Sequence, residues 1–120
     1  MIVGVGIDIV DISRVTEKLA ERILSPKEHE IWTKRKGNEF LAGRFALKEA
    51  FFKAVGIGIR KYRLKDISFL PDEFGKPHIE ENETVKKIRE KHEFEIVHAS
   101  LSHDKGTAVA VIILERREFK

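Results

Sequence analysis

The sequence predicts an α+β fold in one domain spanning residues 1–120, with the element order β-ααα-ββ-α-ββ and a largely antiparallel sheet packed on a long central helix. Three observations carry that expectation. Residues 2–10 alternate between two faces, as a strand does. From Phe40 to Gly56 the apolar groups recur at the helical period with no proline. The last third ends in two strand-like runs joined by Asp104-Lys105-Gly106. At 120 residues and 42% hydrophobic content the chain is long enough to bury a core, and no apolar run approaches the ~20 residues of a membrane span. Cysteine is absent, which excludes disulfides and thiolate metal sites and points to a reducing cytoplasm. A net charge of +3 is too small to imply nucleic acid as a partner, and nothing in the pattern implies a membrane.

The elements follow in order. In the opening strand, Val3, Val5, Ile7 and Ile9 form one face, and Gly4, Gly6, Asp8 and Val10 the other. Two glycines flanking an aspartate on one face predict that another group approaches the backbone closely there. Asp11-Ile-Ser-Arg opens a helix, with Asp11 or Ser13 as its cap and Ile12, Val15, Leu19 and Ile23 as its apolar stripe. Arg14, Lys18 and Arg22 recur every four residues beside that stripe, a basic ridge about 12 Å long. Ser25-Pro26 starts another helix, where Glu28 is placed to complete a capping box, and Lys34-Arg35-Lys36 closes it at Gly37.

The central helix is apolar nearly all round, yet carries Arg44, Lys48, Glu49 and Lys53. Charges on a mostly buried helix need compensation. Either they form i,i+4 pairs on a solvated edge, or they line a cationic pocket with one carboxylate, suited to a phosphate and its metal. Beyond Gly56-Ile-Gly58 the pattern predicts a strand over Lys65–Leu70, a turn at Pro71–Gly75 and a short edge strand over Lys76–Ile79. A charged amphipathic helix over Glu81–Lys91 turns Val85 and Ile88 inward, and the hairpin of Phe94–Ser102 with Thr107–Leu114 follows. Continuous apolarity from Val109 to Leu114 predicts a central strand.

Among candidate chemical groups, Asp8 either caps the next helix or faces a cation. Ser102-His103-Asp104 holds the residue types of a hydrolase triad, but neighbours on a strand point to opposite faces and cannot form that relay. His103 is a candidate phosphate donor or a surface residue beside a turn. The five histidines show no metal-ligand spacing, so any metal here would be a hard ion held by Asp8 and Glu49, such as magnesium.

Gly6-Ile-Asp8, Lys48-Glu49-Ala50-Phe51-Phe52-Lys53-Ala54-Val55-Gly56-Ile57-Gly58, Gly75-Lys76-Pro77 and Leu101-Ser102-His103-Asp104 occur in this order. Together they resemble the stand-alone bacterial holo-acyl-carrier-protein synthases, a group of 4′-phosphopantetheinyl transferases. The resemblance implies the fold of that family. It also implies transfer of 4′-phosphopantetheine from coenzyme A to a serine of an acyl carrier protein, in fatty acid biosynthesis, with release of adenosine 3′,5′-bisphosphate. By the same resemblance, Asp8 and Glu49 hold Mg²⁺; Lys48, Lys53 and His103 neutralise phosphate oxygens; and Arg44 lies near the 3′-phosphate. Gly56, Gly58, Gly75, Lys76 and Pro77 line the nucleotide, and Arg14, Lys18 and Arg22 dock the carrier. Glu49 is the first candidate to take the serine proton and Lys53 the second. The family implies a homotrimer with sites at the subunit junctions. A different magnesium phosphodiesterase and a non-enzymatic module for acidic proteins are the competing readings.

Overall fold

The computed structural model describes residues 1–35, 37–57 and 61–117. The elements are β1 (Ile2–Asp11), α1 (Glu17–Ile23), α2 (Pro26–Arg35), α3 (Asn38–Val55), β2 (Phe69–Pro71), β3 (Pro77–Ile79), α4 (Glu83–His92), β4 (Ile96–Asp104) and β5 (Thr107–Glu115). The order is the β-ααα-ββ-α-ββ that the sequence predicts. β1, β5 and β4 form an antiparallel sheet with β5 in the centre, and β2 pairs with β3 in a separate antiparallel ribbon.

The sheet and α3 make the core. On β5, Ala108, Ala110, Ile112 and Leu114 are buried, against Leu41, Leu47, Phe51 and Phe52 of α3 in one apolar cluster. Gly4 and Gly6 explain how close the helix comes. A Cβ on Gly6 would lie 1.9 Å from the Ala50 carbonyl oxygen, and one on Gly4 would lie 2.2 Å from that of Ala54. The backbone of α3 therefore lies directly on the glycine face of β1, which is what two glycines beside Asp8 predict. Gly56, with φ of 85°, closes the helix in the left-handed conformation, its N–H donating to the Phe52 and Lys53 carbonyls. Lys105 and Gly106, both at positive φ, make the two-residue turn between β4 and β5.

Two local expectations are corrected. The helix expected from Asp11 is broken: Ile12–Arg14 is one 3₁₀ turn capped by Asp11, Val15 is extended, and α1 starts afresh at Thr16. Thr16 accepts the Leu19 N–H and so begins a new helix where continuation was expected. The strand expected over Lys65–Leu70 is a 3₁₀ turn at Leu64–Asp66 followed by the short β2. β5 is the central strand that its continuous apolarity predicts, and its outer face is half covered, because the described helices lie on the other side of the sheet. Its neighbours Val5, Ile7 and Ile9 on β1 are 60%, 59% and 68% exposed.

Candidate active site on the two sides of the central helix

The charged residues of α3 diverge. Arg44 and Lys53 are nine positions apart, about 180° around a helix. They consequently serve two different places.

On the first side, Asp8 projects from the α3-facing side of β1. Lys53 Nζ donates to Asp8 Oδ1 at 2.9 Å and to the Ile7 carbonyl at 3.1 Å. The lysine therefore answers the strand, not Glu49 one turn earlier on its own helix, and of the two readings the i,i+4 pair gives way to a longer-range one. Asp8 does not cap the following turn; that role falls to Asp11, which accepts the N–H and hydroxyl of Ser13. Glu49 is half-buried and lines a pocket of about 240 Å³ together with Asp8, Phe45 and Leu19. Burial, and then the Asp8 charge, push the Glu49 carboxyl above its usual range, partly offset by Lys53. Two carboxylates that repel each other across a reachable pocket suit a hard divalent cation. Magnesium would complete its shell there with water and substrate oxygens, so Asp8 and Glu49 fit that ion.

On the second side, Arg44, His103 and the turn Gly75-Lys76-Pro77 line a cavity of about 700 Å³. Arg44 is only 4% exposed. Its Nε donates to the Phe69 carbonyl at 2.8 Å, and its guanidinium carbon stands 4.2 Å from the centre of the Phe40 ring. Burial lowers its pKa to about 10, against the opposing pull of Glu28. Among the described residues its two terminal amino groups take no hydrogen-bond partner, which leaves donors for an anion. His103 Nε2 donates to the Glu39 carbonyl at 3.0 Å. Asp72 accepts the N–H groups of Phe74 and Lys76 and pairs with His78, so it moulds the turn that brings Lys76 to the cavity.

Lys48 lines neither cavity. It is fully buried and paired with Glu28, and it donates to the Ile23 carbonyl at 2.5 Å. Burial pulls its ammonium below the usual lysine range, against the opposing charge of Glu28. The expected contact of Lys48 with phosphate oxygens is therefore corrected: its ammonium is enclosed and committed. Gly56 ends α3 on the surface, and Gly58 lies outside the described residues. The ridge is also corrected. Arg14 sits on the 3₁₀ turn and Lys18 and Arg22 on α1, all three exposed but not on one continuous helix.

Sequence reasoning missed Glu28. Its capping box with Ser25 was legible and is present, with Ser25 N donating to Glu28 Oε1 at 2.8 Å and Glu28 N to Ser25 Oγ at 3.3 Å. Its second oxygen, however, takes the Phe69 N–H at 2.8 Å, a long-range contact with no local signature.

Comparison with known proteins decides the family. Residues 4–112 match the 4′-phosphopantetheinyl transferase superfamily. The chain belongs to it. Within this superfamily it is 46% identical over 119 residues to the holo-[acyl-carrier-protein] synthase of Thermotoga maritima, covering 98% of this chain and 66% of that relative. It is 41% identical over 127 residues to the synthase of Oceanobacillus iheyensis, covering 98% of this chain and the whole of that relative. The crystal structure of a holo-(acyl-carrier-protein) synthase from Bacillus anthracis in complex with CoA (3′,5′-ADP) superposes with a TM-score of 0.82 at 41% identity, over 98% of this chain and 99% of the other. The fold is that of the superfamily, and the chain is an enzyme of its holo-[acyl-carrier-protein] synthase group. No described helix is long and apolar enough to cross a membrane.

Proposed function

We propose that the protein transfers 4′-phosphopantetheine from coenzyme A to a serine of an apo acyl carrier protein and releases adenosine 3′,5′-bisphosphate. The observation that carries this reading is the division of charge around α3. Asp8, Glu49 and Lys53 lie on one side, and a cavity with the buried Arg44 guanidinium, Lys76 and His103 on the other. The first group suits a pyrophosphate and its metal, and the second suits the 3′-phosphate of the adenosine end, with Gly75 and Pro77 against the nucleotide. The relative from Bacillus anthracis, solved with CoA (3′,5′-ADP), supports the same substrate class.

The serine Oγ attacks the β-phosphorus, the bond to the bridging oxygen breaks, and the adenosine bisphosphate leaves with that oxygen. Glu49, which lines the pocket beside Asp8, is the first choice to take the serine proton; Lys53 is the second choice. Lys53, held by Asp8 and the Ile7 carbonyl, faces charge building on the transferred phosphoryl group. Mg²⁺ held by Asp8 and Glu49 supplies charge neutralisation of the pyrophosphate when bound.

The two groups stand on opposite faces of one helix, and a neighbouring copy would bring a second set of each within reach of the first. Exposed Val5, Ile7 and Ile9, continuous with Val109, Val111 and Ile113 across the β1–β5 pairing, offer an apolar face for that copy. A homotrimer with shared sites is the assembly proposed. A cytoplasmic location accords with the absence of cysteine from the sequence.

The test is to incubate the protein with coenzyme A, Mg²⁺ and apo carrier protein, and to weigh the carrier. A gain of one phosphopantetheine unit is expected. Hydrolysed coenzyme A with an unchanged carrier would point to a phosphodiesterase, and no reaction to a binding module. Light scattering is expected to give three chain masses; a fully active monomer would overturn the shared site.

A further inference from the structure

The buried pair Glu28–Lys48 has no part in the chemistry just described, and both side chains are fully enclosed. Such a pair gains little stability over apolar residues of the same volume, because both charges must leave water. Its geometry offers another explanation. Among the described residues β2 has a strand neighbour on one edge only, β3. The Ser68 carbonyl accepts the Glu80 N–H on that edge at 2.8 Å. The N–H and C=O of Phe69, next along the strand, therefore face the other way. Both are met there by charged side chains, the N–H by Glu28 Oε2 and the C=O by Arg44 Nε, each at 2.8 Å. One carboxylate and one guanidinium stand in for a missing strand. Lys48, from α3, holds the carboxylate, and Arg44, one turn earlier on the same helix, holds the carbonyl. Ser25 and Ser68 close the joint with a hydroxyl pair at 2.6 Å.

We propose that Glu28 and Lys48 are positioning residues for the basic cavity. By clamping the Phe69 peptide against Arg44, they fix the β2–β3 ribbon on α3, and with it the span between Arg44 and the Gly75-Lys76-Pro77 turn across which a nucleotide bisphosphate binds. This rests on the nucleotide reading of the cavity given above. It also explains why the link is ionic. A neutral amide at position 28 offers one acceptor, whereas the carboxylate serves Ser25 N, Phe69 N and Lys48 Nζ together.

The experiment compares the unaltered protein with the near-isosteric double variant Glu28→Gln/Lys48→Met, in which neither charge is left unpaired. Affinity for adenosine 3′,5′-bisphosphate is read by calorimetry, and KM is measured for coenzyme A and for the carrier separately. The proposal expects bisphosphate Kd and coenzyme A KM to rise on the order of tenfold, with carrier KM unchanged. A purely architectural pair would lower Tm and leave both nucleotide constants alone, which overturns the proposal. If the variant does not fold, hydrogen exchange of the unaltered protein decides. Bisphosphate is expected to slow exchange at the Phe69 and Lys76 amides together, whereas slowing at Lys76 alone overturns the clamp. Failure of the unaltered protein to bind bisphosphate would remove the nucleotide reading and the proposal with it. Equal binding by both proteins removes the proposal alone.

Discussion

Lys48 and Lys53 stand five positions apart on one helix and have opposite fates. Lys53 is 56% exposed and shares Asp8 with solvent, whereas Lys48 is fully enclosed with Glu28. The sheet side of α3 thus keeps its charges reachable, where they can meet a substrate. The helix and ribbon side commits Lys48 and Glu28 to building a cavity wall, while Arg44, through its terminal amino groups, keeps donors free among the described residues. The same residue type is reachable on one face and enclosed on the other. Burial and the identity of the partner decide which.

The largest expected effect lies on the reachable side. Asp8→Asn and Glu49→Gln keep shape and remove a carboxylate charge, so under the proposed metal-assisted transfer each should lower turnover by orders of magnitude while circular dichroism stays that of the folded protein. Titration with Mg²⁺ should show weakened metal dependence in both. Full turnover in either variant would remove that residue from the site.

The enclosed side should respond in stability. Glu28→Ala leaves the Lys48 ammonium buried without its partner, an expected loss of about 3–5 kcal/mol. Lys53→Met removes a solvent-screened pair, and its expected loss is below about 1 kcal/mol. Urea unfolding measures both, and equal losses would erase the distinction between the two faces.

That distinction also marks what the sequence could reveal. Alternation placed Asp8 beside Gly4 and Gly6, and the helical period with Gly56 bounded α3, so the element order and the Asp8–Glu49 side were legible from local patterns. Local chemistry likewise announced the Ser25–Glu28 capping box. It did not announce that Glu28 also reaches Phe69, 41 positions away, or that Lys48 turns inward to meet it. Helical periodicity fixes an angle around an axis, but not which other element arrives there. The break at Val15-Thr16 was missed for a different reason. Apolar spacing runs through it unbroken, and only the Thr16 side chain, by capping Leu19, divides the turn from the helix.

A smaller effect should appear with pH at the tip of the ribbon. The hydrogen bond from His78, with the Lys76 and Phe74 N–H groups, holds the Asp72 carboxyl below its usual range. A carboxylate whose pKa is lower in the folded state adds stability that is present above the unfolded value, about 3.9, and is lost as pH falls through the folded one. Wild type should therefore exceed Asp72→Asn in urea midpoint at pH 6, with the gap closing near pH 2. A gap that stays constant across this range would mean that Asp72 shapes the turn without its charge.

The smallest effect concerns the exposed cations beyond Asp8. Arg14 borders the Asp8–Glu49 pocket from the 3₁₀ turn, and Arg22 lies on α1 beside the larger groove that also contains Glu49. Acyl carrier proteins are acidic, and under the function proposed above these groups would guide one toward the carboxylate side of α3. Their separation by the Val15-Thr16 break matters, because each can meet a different acidic group instead of one helical row. Exposed charges at a rim mostly speed encounter and select partners. Reversing Arg14 and Arg22 to glutamate should raise carrier KM several-fold, leave coenzyme A KM nearly unchanged and spare kcat, the pattern of lost uniform binding. Added salt should weaken the wild type more than the variant, because screening removes an attraction the variant already lacks. Identical carrier KM and salt response in the two proteins would make these arginines a solvated surface and move docking to Lys34 and Arg35 at the end of α2.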